Sequence, residues 1–374
     1  MIVEKGKTIV AKGKIKIAGN AEVLGAKRFD FEVEKFVPIY CIEDCDVVVD
    51  GEYMTLEGNT IPESWEKLAK IDWDTIFLYG GIDKGKSTLA TFLANRVGGA
   101  FVVDLDIGQS DIAHPGAMGY GYAKNVVTLS EVKMENGIFV GCTSPSYREV
   151  KCLKAVTKIW KEVSKLEGKK IVDTTGWIKG RRAKDYKLAK LEIINPDIVV
   201  SFEGKPDFLE NYEVFEVENK LVIPRSREQR AAIRARNYNK WLKGSKRIKI
   251  DFSLPGKEIP KDFLSDVLGK DIEFVRKGED FLLICLKNEE DFDPVIVRGI
   301  KELYEVDEVC FLSKNDLKGI VVGLYKNKKY LGIGLLSLEN DQWILETPLN
   351  DFDKIELGEI RFDGEREYVI RLPV

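Results

Sequence analysis

The sequence predicts an α/β protein in three parts, a central parallel sheet between a small N-terminal β-domain and a C-terminal, mainly β-domain. Three observations carry this. Strand-like and helix-like stretches alternate from about residue 74 to about residue 242, the pattern of strands joined by crossover helices. A glycine-rich octapeptide at 80–87 stands between an apolar stretch and an amphipathic one within that region. Both flanks change to short alternating strands with turn punctuation. At 374 residues the chain exceeds one ordinary core, and the expected domains are 1–70, 71–245 and 246–374.

In order, strands are expected at 14–17, 29–33, 37–41 and 47–49, with a turn at Gly19-Asn20 and a hairpin at Asp50-Gly51. Together they read as a small β-sandwich or β-barrel. A short helix at 64–70 leads out of it. The central part then offers a strand at 75–79, a helix at 87–96 and a strand at 100–105. Val150, Leu153, Val156, Ile159, Val163 and Leu166 follow at helical spacing. Strands at 170–173 and 197–202 and a basic helix at about 227–242 complete it. Pro255 and Pro260 mark the second boundary, beyond which strands are expected at 281–286, 319–325, 330–336 and 358–362.

Composition narrows the function classes. Net charge is −4, which argues against a surface coated for bulk DNA binding, so any nucleic-acid site must be a local basic patch. Charged residues make up 32%, as in proteins that use ion-pair networks against heat. Of six cysteines only Cys41 and Cys45 lie close together, and His114 is the single histidine, so reduced thiols are expected rather than a structural zinc site. No stretch approaches the ~20 apolar residues of a membrane span, and the N-terminus has no leader pattern. The expectation is a cytoplasmic protein with no membrane partner.

Residues 80–87 read Gly-Gly-Ile-Asp-Lys-Gly-Lys-Ser, the complete G-x-x-x-x-G-K-[ST] phosphate loop. The central sheet is therefore expected to be a P-loop NTPase sheet. Glycines let backbone N–H groups turn inward around phosphates, and the following helix N-terminus adds donors and partial positive charge. Gly80, Gly81, Ile82, Asp83, Lys84, Gly85, Lys86, Ser87 and Thr88 are the expected ATP contacts. Lys86 would reach the β- and γ-phosphates and Ser87 would join a Mg²⁺ shell.

Two acids, Asp104 and Asp106, end the next strand, at the edge where open α/β sheets hold ligands. Asp106 is assigned as Mg²⁺ organiser and candidate general base; Asp104 is either its partner or a cap on the next turn. Residues 171–177, Ile-Val-Asp-Thr-Thr-Gly-Trp, end another apolar strand at the same edge. Asp173 could meet Mg²⁺ through water. Trp177 is either a stacking surface for an unpaired base or a core aromatic. Five arginines fall between 225 and 236; Arg230 and Arg234 share a helical face, as either a lid that neutralises transferring phosphoryl or a solvated basic face.

These motifs, in this order, resemble the polynucleotide 5′-hydroxyl kinase family that includes the RNA kinase subunit of the mRNA cleavage factor, the ribosomal-RNA-processing kinases and their archaeal relatives. The resemblance rests on residues 80–88, on Asp104-Leu-Asp-Ile-Gly-Gln109 with Pro115-Gly116, on Gly141-Cys-Thr-Ser-Pro145, on Thr174-Thr-Gly-Trp-Ile-Lys-Gly180, and on the arginines Arg225, Arg230 and Arg234. It implies transfer of the ATP γ-phosphate to the 5′-OH end of RNA, with single-stranded DNA as a second acceptor, and Mg²⁺. It implies catalytic roles for Lys86, Asp106, Arg230 and Arg234, with Ser87 and Asp106 on the metal. Gln109, Thr143, Thr175, Trp177 and Arg225 become candidate RNA contacts, Trp177 in a clasp and Arg225, Arg230 and Arg234 in a lid. Asp173 stands where some members carry Asn. The N-terminal domain is implied to help hold adenine. Protein partners are not legible.

Three rivals stand beside this reading. Some members are ATP-bound scaffolds without kinase activity. Asp173-Thr-Thr-Gly176 imitates a GTPase D-x-x-G switch, but an N-K-x-D guanine reader is missing: Asn219-Lys220 continues as Leu-Val and Asn239-Lys240 as Trp-Leu. A small-molecule kinase is the third, which a Trp beside Arg and Lys residues fits less well than a polymer end.

Overall fold

The computed structural model describes residues 1–288 and 293–373. The chain divides into two compact units, residues 1–140 with 144–226, and residues 141–143 with 227–374. No described helix is long and apolar enough to cross a membrane.

The first unit opens with a five-stranded antiparallel sheet of β1 (Ile2–Val3), β2 (Lys7–Ala18), β3 (Ala21–Val23), β4 (Asp30–Cys41) and β5 (Cys45–Glu57), ordered β1-β5-β2-β4-β3. Ile9, Ile15, Val33, Ile39 and Val47 fill one face, as period-2 alternation requires. The turn at Gly19-Asn20 is present, but the hairpin expected at Asp50-Gly51 is not: β5 runs straight through it. Gly51 instead lies opposite Gly13 of β2. A Cβ on Gly51 would sit 2.1 Å from the Lys12 carbonyl oxygen, so the glycine is there for close strand approach and not for a turn. The domain is one sheet, with the expected strands at 29–33 and 37–41 merged into β4.

Helix α1 (Glu63–Lys70) leads into a seven-stranded sheet and its helices. These are β6 (Thr75–Tyr79), α2 (Lys86–Arg96), β7 (Ala100–Leu105), β8 (Ala117–Ala123), β9 (Asn136–Phe139), α3 (Glu149–Val163), β10 (Lys170–Thr174), α4 (Arg181–Ile194), β11 (Ile198–Ser201) and β12 (Val214–Glu216). The order is β12-β11-β6-β10-β7-β8-β9, with the first five strands parallel and β8 and β9 antiparallel at one edge. Strands β6 and β10 are buried along their whole length, as near-continuous apolar strands in a parallel sheet should be. This order places the ends of β6, β7, β10 and β11 side by side on the ligand edge.

The second unit begins with α5 (Arg227–Trp241). A six-stranded antiparallel sheet, ordered β13-β20-β19-β18-β21-β22, joins β13 (Lys246–Ile250) to β18 (Ile320–Lys326), β19 (Lys329–Glu339), β20 (Gln342–Thr347), β21 (Lys354–Phe362) and β22 (Glu367–Val369). A four-stranded sheet holds β14 (Lys257–Ile259), β15 (Ile272–Lys277), β16 (Phe281–Leu286) and β17 (Glu308–Ser313), with α6 (Asp262–Leu268) and α7 (Pro294–Tyr304). Strands β16 and β17 run parallel, joined through α7 as a crossover. All six cysteines are buried free thiols.

Candidate phosphoryl-transfer site

The loop after β6 turns because Asp83 and Gly85 adopt left-handed backbone, φ +58° and +97°, and Gly85 then caps α2. At Gly85 any side chain would be strained, and a Cβ would also meet the Asn219 amide at 2.3 Å. Lys86 is buried inside the loop and donates to the Gly81 carbonyl oxygen at 2.7 Å. Burial pushes its ammonium below the usual lysine range, while the Asp173, Asp106, Asp83 and Glu203 carboxylates pull it back up.

Three later segments fix the rest of the loop. Glu203, just past β11, accepts the Gly81 N–H at 2.9 Å. Asn219 donates from Nδ2 to the Lys84 carbonyl at 3.1 Å. Asp83 accepts the Arg225 backbone N–H at 3.0 Å and its Nε–H at 2.8 Å. Arg225 thus sits on the phosphate loop itself. Asn219, which opens the nearest approach to a guanine-reading motif, is committed to Lys84 and to the Leu221 N–H.

The three carboxylates have different environments. Asp104 and Asp173 are in-register neighbours on β7 and β10 and both are buried. Asp104 accepts the N–H groups of Asp106 (3.0 Å), Asp111 (2.7 Å) and Ile112 (3.2 Å) and the Ser110 hydroxyl (2.9 Å). It is the organiser of the loop after β7. Burial and the charges of Asp173, Asp111 and Asp106 push Asp104 upward, and the backbone donation from Asp106 opposes them. Asp106 is partly exposed, and its Oδ1 accepts the Gly108 and Gln109 N–H groups, both at 3.0 Å. Asp173 accepts the Ser87 hydroxyl at 2.5 Å and the Thr174 N–H at 2.8 Å. Burial raises it to about 6 against the pull of Lys86 and Ser87.

Asp173 is the residue that the sequence left at the margin, and the structure puts it on Ser87. The available signal was an apolar strand ending in Asp; that its strand adjoins β6 is a fact of topology. Among the described residues no three His, Cys, Asp or Glu side chains gather as a metal-ligating group. Magnesium does not need one, since it is commonly held by one or two carboxylates together with phosphate oxygens. The Ser87 hydroxyl on Asp173, with Asp106 near enough to act on Lys86, is an oxygen donor set of that kind.

Past β10 the chain presses against the phosphate loop. A Cβ on Gly176 would lie 2.6 Å from the Ile82 nitrogen, so only glycine permits this approach. The Thr175 hydroxyl accepts the Trp177 N–H at 3.0 Å. Trp177 is half-buried, with its ring centroid 5.8 Å from that of Tyr186 on α4, and so has both a packed side and an accessible one. Nearby, Arg182 pairs with Glu149 at 2.6 Å and lies 3.9 Å over the Tyr147 ring.

The first unit therefore brings together residues 80–88, Asp106, Gln109, Asp173, Thr175, Trp177 and Arg225. Thr143, Arg230 and Arg234 belong to the second unit. There Glu359 donates its N–H to the Gly141 carbonyl at 2.7 Å, two residues before Thr143. Arg234 grips Glu367 through Nε (2.7 Å) and a terminal nitrogen (2.5 Å). Buried Tyr238 stacks near Phe362 at 5.0 Å, which fixes α5 on β21.

Fold and site define a P-loop nucleotide-binding protein of the phosphotransferase kind: phosphate loop, acidic strand ends and a hydroxyl-bearing turn meet at one sheet edge. Residues 80–244 match the family model described as the mRNA cleavage and polyadenylation factor CLP1 P-loop. The chain is 28% identical over 308 residues to a polyribonucleotide 5′-hydroxyl-kinase of Methanocaldococcus jannaschii, covering 77% of this chain and 85% of the relative. It is 26% identical to one of Pyrococcus furiosus, covering 78% and 88%. A protein CLP1 homolog of Culex quinquefasciatus is 26% identical, with 80% and 79% covered. In fold the chain is similar to Clp1p as solved in a Clp1p–Pcf11p complex, with a TM-score of 0.63, 14% identity and 96% and 97% of the chains covered.

Proposed function

We propose that this chain transfers the γ-phosphate of ATP to the 5′-hydroxyl end of RNA. The observation that carries this reading is the packing of the Thr174–Trp177 turn on the phosphate loop through Gly176 and Ile82. It brings the turn that carries the Trp177 ring against the loop that would cradle the phosphates. A base stacks on such a ring whatever its identity, which suits an enzyme that reads an end and not a sequence. The relatives named as polyribonucleotide 5′-hydroxyl-kinases support the same acceptor.

In this reading the loop amides and Lys86 bind the β- and γ-phosphates, and Asp106 accepts the proton of the incoming hydroxyl. Its Oδ1 is occupied by the Gly108 and Gln109 N–H groups, which aim the carboxylate. Ser87, Asp173 and Asp106 would hold Mg²⁺, whose chemistry there is to neutralise charge across the β- and γ-phosphates. Catalysis is positioning and charge neutralisation, with the sugar oxygen as nucleophile and no covalent enzyme intermediate. Arg230 and Arg234 are proposed as the lid, with Arg234 also tying α5 to Glu367. Gln109, Thr143, Thr175 and Trp177 are proposed to contact RNA.

The test is γ-phosphate transfer from labelled ATP to 5′-OH RNA, 5′-OH DNA and free nucleosides, by wild type and Lys86→Ala. Transfer to the oligonucleotides that Lys86→Ala abolishes is the expected result. ATP binding without transfer to any acceptor would replace the kinase reading by the scaffold, and transfer to nucleosides alone would make the chain a small-molecule kinase.

A further inference from the structure

Helix α4 carries two lysines with no exposed surface, Lys187 and Lys190. Lysine is almost never fully buried without a partner to hold it, and the two solve this differently. Lys187 donates from Nζ to the Thr174 hydroxyl at 2.7 Å and to the Thr175 carbonyl oxygen at 2.6 Å. The Thr174 hydroxyl in turn donates to the Leu78 carbonyl at 2.7 Å, two residues before Gly80. The Thr175 hydroxyl takes the Trp177 N–H. A continuous chain of hydrogen bonds thus runs from the middle of α4, through the turn that ends in Trp177, to the strand that launches the phosphate loop. Its links, Lys187, Thr174 and Leu78, are all buried, and Trp177 at the end of the turn is half-buried. Lys190 has no hydrogen-bond partner on Nζ among the described residues and lies 4.3 Å from the centroid of the Tyr186 ring.

We propose that Lys187 is a positioning residue for the phosphate acceptor, a strut that sets the Thr174–Trp177 turn at a fixed distance from the phosphate loop. This rests on the kinase reading above. The side chain is buried behind the turn and reaches the acceptor only through it. Without its Nζ the buried Thr175 carbonyl loses its donor, and the turn is left with the Thr174–Leu78 bond, the Gly176 contact and the packing of Trp177 on Tyr186. A displacement of about 1 Å at a reacting centre costs up to roughly 10²-fold in rate, and the acceptor side of the reaction should take nearly all of that loss.

Full-length Lys187→Met, Thr174→Val and Lys190→Met are compared with wild type. Lys190→Met removes an equally buried ammonium that makes no bond to the turn, and Thr174→Val cuts the same relay while keeping the lysine. The readouts are kcat, KM for 5′-OH RNA and for ATP, RNA Kd by fluorescence anisotropy, and a thermal melt. Lys187→Met should lose roughly 10- to 100-fold in kcat/KM for RNA, with KM for ATP within about twofold. Thr174→Val should move the same parameter by a smaller factor, and Lys190→Met should match wild type. RNA parameters at wild-type level in both Lys187→Met and Thr174→Val would overturn the proposal. So would a loss shared equally by ATP and RNA and reproduced by Lys190→Met. If Lys187→Met does not fold, Thr174→Val decides alone. Wild type that neither binds nor phosphorylates 5′-OH RNA defeats the kinase reading and this strut with it, whereas active wild type with silent variants defeats the strut only.

Discussion

Replacing Asp104 by asparagine separates a structural acid from a chemical one. The carboxylate accepts four donors, Asp106 N–H on Oδ1 and Asp111 N–H, Ile112 N–H and Ser110 O–H on Oδ2. Asparagine has one acceptor oxygen. If it takes the three donors on Oδ2, its amide nitrogen faces the Asp106 N–H donor to donor. One unmet donor costs about 1–3 kcal/mol, and the remaining bonds lose their charge assistance. Against this, removing the charge relieves burial and the repulsion from in-register Asp173. The net expectation is a loss of about 1–3 kcal/mol. At ~2–4 °C per kcal/mol for a body of this size, that is a fall of roughly 2–12 °C in Tm. The assay is a thermal melt followed by circular dichroism, with kcat measured well below the transition. Asp106→Asn should do the reverse, holding the melt within ~0.5 kcal/mol while turnover falls ~10²-fold or more. An Asp104→Asn protein with unchanged Tm and abolished turnover would refute the division of labour between the two acids.

Three further substitutions test the geometry. Gly176→Ala places a methyl 2.6 Å from the Ile82 nitrogen, so the turn must leave the phosphate loop; both ATP affinity by calorimetry and kcat should drop, and wild-type values for both would mean the contact is not needed. Arg225→Ala removes the guanidinium from Asp83 and leaves only the backbone N–H bond between the two residues; KM for ATP should rise more than KM for RNA, and the opposite order would make Arg225 an RNA contact. Arg234→Ala leaves Glu367, 18% exposed, without its guanidinium; after discounting for solvent the cost should be about 1 kcal/mol, read in the melt, whereas a fall in kcat with no change in melting would assign Arg234 to the reaction alone.

The parts of the fold that followed a single periodicity could be read from sequence, and the exceptions have specific causes. Strands β6, β7 and β16 fall on their expected residues because apolar runs, broken in β7 only by Asp104 near its end, leave little choice. Gly51 was misread because Asp-Gly is a turn signal, and nothing local reveals that Gly13 stands opposite it. Strand β8 was passed over because Gly119 and Gly121 alternate with aromatics. A Cβ on Gly121 would lie 2.3 Å from the Lys133 carbonyl oxygen, so its glycine serves packing across an edge.

Helix α4 is the more instructive case. Its inward face consists of Ala183, Tyr186, Lys187, Lys190, Leu191 and Ile194. Two of six inward positions are lysine, so a search for apolar residues at helical spacing finds no stripe and the helix goes unassigned. A reader of pattern treats Lys187 as surface, yet burying it has a free-energy cost that the fold meets with two short hydrogen bonds to the turn after β10. Local rules tend to fail where a residue is kept for something other than stability. The same substitution of charge for oil that hides α4 from the sequence connects it to the phosphate loop. Asp173 follows the same logic. Its strand was legible, but its weight in the site comes from β10 lying next to β6, an adjacency set by sheet order and not by any residue in either strand.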